Sequence, residues 1–343
     1  PRSTQSRSSA ASDVYKRQYL LRVIMAAGFG LGLASFITFF SLNAGRAAPA
    51  LAFVVELGIC LVLTVVLLSR NIPLRRFVQW TPGGLREGER PLLLVLVMTA
   101  TLGLISFAAR TLRSPHGSWD AWAIWNLHAR FLFRGGMAWT RLFELQFSHP
   151  DYPLLLSALV ARGWFYAGRE TQAGPAMLAM LYAALTIGLL TCALAQLRET
   201  AQGLLAGAVL AATPVFMAQA AGQLADVPLS YYFLGALVCL ALSAESADSP
   251  IGLTALAGLA AGCAAWTKDE GALFLLLLSI VHFLERRRAA GWHGALKASA
   301  AFIAGALPGA AAWLYIKLIL APPSLVIASL TPAYIGQVLL QPA

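Results

Sequence analysis

Charge is what this sequence has least of. Asp, Glu, Lys and Arg together make up 12% of its 343 residues, about half of the roughly 25% found in soluble domains. A water-soluble globule is excluded, because apolar types reach 59% and too few charged groups remain to cover a wetted surface. Cysteine is also scarce: Cys60, Cys192, Cys239 and Cys263 each fall inside an apolar stretch with no CxxC spacing. That rules out a disulfide framework and a zinc site and leaves them as packing residues. His116 and His128 have no second ligand at helical spacing, which argues for solvated histidines over a dedicated metal cage. Basic residues exceed acidic ones, 25 − 15 = +10, but they stand between apolar runs with no polar face to display them. Nucleic acid is therefore not the partner.

Apolar stretches are what the chain has in abundance. A bilayer core of about 30 Å takes about 20 helical residues, and stretches near that length recur at 20–42, 49–69, 91–112, 174–195, 202–221, 227–244, 251–266, 271–285 and 298–320. The expectation is an all-α, polytopic membrane bundle of about nine or more spans. The short stretch 251–266 is expected to reach the interface through Trp266 and Thr267. Residues 1–18 are Ser- and Arg-rich without an apolar core, and SDVYKRQ resembles translated adapter sequence, so they are expected to be a non-native or disordered tail. The apolar stretch 324–341 ends without a polar tail, and a missing C-terminal portion is expected.

Positive charge sets the orientation. Arg70, Arg75, Arg76, Arg86 and Arg90, then Arg198, then Arg286, Arg287, Arg288 and Lys297 all fall on one side of this count. That side is read as cytoplasmic, and loops 113–173, 222–226 and 267–270 as outside. Within the first of these loops, SWDAWAIWNLHARFLFRGG from Ser118 reads as an amphipathic helix. Trp122, Trp125, Ala129 and Leu132 share one face, with Asn126, Arg130 and Arg134 on another, and Gly135 and Gly136 end it. A helix so rich in tryptophan is expected to lie at headgroup level. A second such element is expected from Tyr152 to Tyr166.

Seven of the fifteen acidic residues fall in these three loops: Asp120, Glu144, Asp151, Glu170, Asp226, Asp269 and Glu270. An acidic cup on the outer face is the leading site reading. Plainer roles stand beside it. Asp120 and Asp226 both stand where a helix-capping acid would, Lys268 suits snorkelling to the interface, and His149 with Asp151 suits a turn before proline. Glu56, inside a span, is expected to face another helix.

The order of these features is more specific than any one of them. A span, a loop opening with WDAW and closing with HPDYPLL, a turn with ADVPL and a turn with WTKDEG resembles the GT-C membrane glycosyltransferases. Within them it is most similar to the family-39-like group of protein O-mannosyltransferases and lipid A aminoarabinose transferases. The resemblance covers about residues 91–290. Residues 19–90 then read as two accessory spans with a cytoplasmic loop, and 291–343 as further spans.

This resemblance implies transfer of a sugar from a polyprenyl-phosphate or diphosphate carrier to an acceptor hydroxyl on a glycan, lipid or protein. The reaction would occur at the periplasmic face of a bacterial inner membrane, with inversion. Asp120 matches the family's essential loop aspartate and becomes the catalytic base. Asp226 matches its second acid, either orienting hydroxyls or joining Asp120 on a divalent cation, Mg²⁺ or Mn²⁺. Lys268 matches the family's lysine and would meet the phosphate, with Arg130 or Arg134 as a second cation. Asp269 and Glu270 intervene before Gly271, and His149-Pro150-Asp151 stands where relatives carry an acid and a lysine before proline. The alternatives are a transporter or a lipid-linked-sugar flippase, and a non-catalytic membrane scaffold. Against the transporter stand the lack of evident internal duplication and the placement of charges at span ends.

Overall fold

The computed structural model describes residues 2–69, 86–245 and 251–323. The arginines at 70, 75 and 76 and the stretch 324–341 lie outside them. Every regular element among the described residues is helical. In chain order these are α1 (Arg2–Ser41), α2 (Ala48–Ser69), α3 (Glu89–Arg113), α4 (Asn126–Arg134), α5 (Leu155–Ala167), α6 (Ala173–Leu197), α7 (Thr200–Ala212), α8 (Pro214–Ala221), α9 (Asp226–Glu245), α10 (Ile251–Thr267) and α11 (Asp269–Tyr315). Among the described residues six helices are long and apolar enough to cross a membrane, seven if the bent pair α7–α8 is one span. The chain is built as an integral membrane protein: α2 and α3 turn Leu61, Val62, Leu104 and Ile105 outward, each at least half exposed, as only lipid would favour.

Local chemistry sets the breaks. Pro214 opens α8 and separates it from α7 by a bend of 61°, since its ring removes a backbone donor and crowds the preceding turn. Gly291, at φ 67° and ψ −171°, interrupts α11, a conformation open to glycine alone at little cost. Beyond that break α11 presses on α10 through small residues. A Cβ on Gly258 would strike Phe302 O, and one on Gly309 would strike Gly262 O, so Gly258 and Gly262 on α10 meet Gly305 and Gly309 on α11 at backbone distance.

The first two helices differ. α1 supplies Leu21, Ile24, Met25, Phe29, Phe36 and Phe39 to the main core, while α2 exposes most of its apolar side chains. Tyrosines fasten α1 inside: Tyr231 Oη donates to Ile24 O at 2.9 Å, Tyr232 Oη to Gly28 O at 3.0 Å, and Tyr182 and Tyr232 share a 2.8 Å hydrogen bond. Glu56 is the exception on α2, accepting from Arg162 at 2.5 Å and Tyr166 at 3.4 Å on α5. Cys192, Cys239 and Cys263 are buried, Cys60 is exposed, and no two are bonded.

Candidate functional site

The three loops read as outside come together at one end of the bundle. Ser118 donates to Gly222 O through its backbone N–H, 3.0 Å, and its hydroxyl, 3.1 Å. Gln223 accepts from Asn126 Nδ2 and donates to Pro115 O, both at 3.1 Å. Ala225 packs with Ala123, Ile124 and Trp125. The segment carrying Asp120 is thus laid along the turn that leads into Asp226.

That segment differs from a simple amphipathic helix. A π-helical turn, Ala121–Trp125, precedes α4, and Asp120 stands just before it without a capping hydrogen bond. π-Turns cluster at functional sites because they re-aim side chains. The Asp120 side chain is exposed and has no ion pair among the described residues, and its place in the first helical turn suits an acid at the positive end of the dipole. Asn126, read as part of the polar face, is buried on Gln223, and Trp125 is buried while Trp122 is exposed. The second element begins at Leu155 rather than Tyr152.

Asp226 opens α9 and Lys268 caps the start of α11 with extended backbone. The Lys268 ammonium lies 3.2 Å from Asp226 Oδ1 and 3.3 Å from Glu270 Oε1. Burial disfavours its charge, but Asp226 and Glu270 outweigh that cost and hold its pKa above the usual lysine value. Snorkelling alone therefore does not describe it. Trp266, expected at the interface, is instead fully buried and donates to Ser35 Oγ at 2.9 Å, while Ser35 donates to Leu155 O at 3.1 Å. An indole can be buried when its N–H finds a partner, and this one ties α1, α5 and the approach to Lys268 into one unit.

The 149–153 turn supplies the facing wall. His149 takes a left-handed conformation, φ 46°, and stacks on Tyr152, which in turn stacks on Trp125 with centroids 5.6 Å apart. Burial raises the Tyr152 phenol above its ordinary value, with Lys268 opposing. Trp125 Nε1 is buried and lacks a hydrogen-bond partner among the described residues. Behind the turn, Ser148 donates to Ala123 O at 2.5 Å and meets His128 Nε2 at 3.1 Å. Burial lowers His128 to about 4, so it is a neutral strut rather than a solvated histidine.

Sequence reasoning missed Lys317. On a second π-turn, Ile316–Leu320, it binds Asp151 Oδ2 at 3.1 Å and Asp269 Oδ2 at 2.8 Å. Trp313 Nε1 donates to the other oxygen of Asp269 at 3.0 Å. Asp151 and Asp269 therefore belong to Lys317, whereas Asp226 and Glu270 belong to Lys268. Arg130 joins neither group; with Arg134 it holds Glu170.

A divalent cation needs several oxygen donors converging on one point. Among the described residues no three His, Cys, Asp or Glu side chains do so, and four of the vestibule carboxylates already face an ammonium. Compared with models of protein families, with curated proteins and with solved structures, the chain matches none of them.

Proposed function

We propose that the protein is a GT-C-type membrane glycosyltransferase of about nine spans, counting α10 and the two halves of α11 on either side of Gly291 separately. It works at the periplasmic face of a bacterial inner membrane. The observation that carries this reading is the Asp226–Lys268 pair at the mouths of two helices, beside the loop on which Asp120 stands unpaired. The prenyl tail of a polyprenyl-phosphate sugar stays in lipid while its phosphate meets Lys268, displacing a carboxylate that is itself half exposed.

Asp120 takes the proton of the acceptor hydroxyl as that oxygen attacks the anomeric carbon. The bond to the carrier phosphate breaks with inversion, and Lys268 balances the negative charge that develops on the leaving phosphate. Asp226 orients Lys268 and, when released from it, accepts from sugar hydroxyls.

The test is transfer of radiolabel from a polyprenyl-phosphate sugar to an acceptor by the purified chain, with Mg²⁺ or with chelator, for wild type and Asp120→Asn. Loss of transfer in the variant with an unchanged melting temperature supports the enzyme. Lipid moving between leaflets without transfer supports the flippase instead.

A further inference from the structure

Charge in this outer end is divided between two places. Among the described residues Lys268 and Lys317 are the cations paired with Asp226, Glu270, Asp151 and Asp269, so the vestibule is acidic. On the other side of the 114–126 segment lies an open cleft of about 460 Å³ lined by Arg113, Ser114, His116, Trp122 and Arg130, with no carboxylate in its wall. It adjoins a smaller cleft of about 170 Å³, which shares His116 and Arg130 and is closed by Glu170 and Gln172. Glu170, in the wall of the smaller cleft, is divided between Arg130 and Arg134. Arg113 makes no ion pair among the described residues. Two guanidiniums, Arg113 and Arg130, thus line the larger cleft, and only Arg130 is paired with a carboxylate among the described residues.

The wall is fixed in shape. Gly117 turns at φ 76°, and a Cβ there would meet Ala121 Cβ and Gly222 O. His116 is held by Gln172 through a 3.0 Å hydrogen bond, and Arg130 by Glu170. The plain role for Arg113 is balancing the C-terminal end of α3, but Arg110 stands in the same turn and the Arg110 carbonyl already accepts from Ser114 N–H at 2.8 Å.

The surroundings identify the ligand class. The cleft opens where the outward apolar face of α3 ends: Leu112 is 84% exposed beside Arg113, and Trp119 packs edge-on against Trp122 across its rim. Exposed aliphatic side chains, then indoles, then guanidiniums is the order met on passing from acyl chains through the interface to a headgroup. We propose that this cleft binds the phosphodiester of an anionic membrane phospholipid. Arg113 and Arg130 embrace the phosphate through their forked donors, Ser114 and His116 complete its hydrogen bonds, and the acyl chains lie along α3. The site is separate from Lys268 and does not depend on sugar transfer.

The experiment uses the full chain in nanodiscs of phosphatidylcholine with rising fractions of phosphatidylglycerol, counting retained lipids by native mass spectrometry. The expected result is preferential retention of phosphatidylglycerol by wild type, weakened about ten-fold in Arg113→Gln with His116→Gln, weakened less in Arg113→Lys, which keeps the charge but loses the fork, and unaffected by Lys268→Met. Equal weakening of phosphatidylcholine and phosphatidylglycerol would overturn the proposal, as would retention unchanged by the double variant. A soluble arm with glycerophosphoglycerol separates the sources of phosphate: competition at the lipid's own affinity would show that acyl chains play no part and would overturn the lipid assignment. Melting temperatures of each variant guard against misfolding.

Discussion

Lys268 and Lys317 each hold two carboxylates at the same end of the bundle, but their settings differ. Lys268 pairs with side chains that are 50% and 60% exposed, one of them only two residues along the chain. Lys317 reaches across 166 residues to Asp151, which is 11% exposed, and across 48 to Asp269. Water and salt screen the first arrangement, so each carboxylate there can be exchanged for a substrate anion at small cost. In the second, Asp151 is shielded while Asp269 is 36% exposed, and breaking the Asp151 pair strands a charge. Under the proposed function the two similar clusters divide the work: one is left to bind the substrate anion, and the other fastens the 149–153 turn to the start of α11.

The sharpest way to break this comparison is to remove each ammonium in turn. Lys268→Met is expected to lower the proposed transfer by about 10²–10³-fold, as when one preorganised charge-stabilising group is lost, while unfolding in detergent shifts by less than about 1 kcal/mol. Lys317→Met is expected to do the reverse. It loses about 3 kcal/mol of stability, because Asp151 is left buried without a partner, and transfer falls only with the folded fraction. Lys317→Met combined with Asp151→Asn should recover part of that stability. Equal effects of the two lysines on melting would erase the distinction.

The helical class and the gathering of the three loops at one end were approached from sequence because each rests on a local pattern: apolar length, arginine clusters, short motifs. The ion pair between Asp226 and Lys268 was not, since the sequence assigns that lysine to a phosphate. Lys317 was not legible. A lone lysine near the end of an apolar stretch reads as snorkelling, and only the three-dimensional path brings it to Asp151. Trp266 was misplaced for a related reason, since nothing near it in the chain announces Ser35 as its partner. α1 and α2 read alike, because in lipid an apolar side chain that faces another helix and one that faces acyl chains have the same composition.

Acid separates the clusters next, by a smaller margin. His128, held to about 4 by burial against an ordinary value of about 6.5, supports Ser148 and hence the turn that carries Asp151. Its folded pKa lies below its unfolded one, so the unfolded chain binds more protons between about pH 6.5 and 4. The stability this neutral imidazole contributes is full above that window and is lost as pH falls through it, about 2 kcal/mol by pH 5. His128→Asn should show a flatter dependence of melting temperature between pH 7 and 5, whereas Lys268→Met should follow wild type. A wild-type profile with no slope there would show that His128 is not the acid-sensitive strut.

Glu270 gives the smallest and most discriminating effect. It lies 3.3 Å from Lys268 with most of its surface in water, so Glu270→Gln should change stability by less than about 0.5 kcal/mol. Removing one of two carboxylates leaves the ammonium less neutralised, however, and an incoming phosphate then has one fewer competitor. The KM for the lipid-linked donor is expected to fall about two-fold at low ionic strength, and the gain should vanish by about 1 M salt, where the screening length is about 3 Å. Asp269→Asn is the control. Its carboxylate serves Lys317 and Trp313, so it should lower stability without improving KM. A lower KM in both variants would mean that the vestibule responds to net charge alone and that the division between the two lysines has no functional consequence.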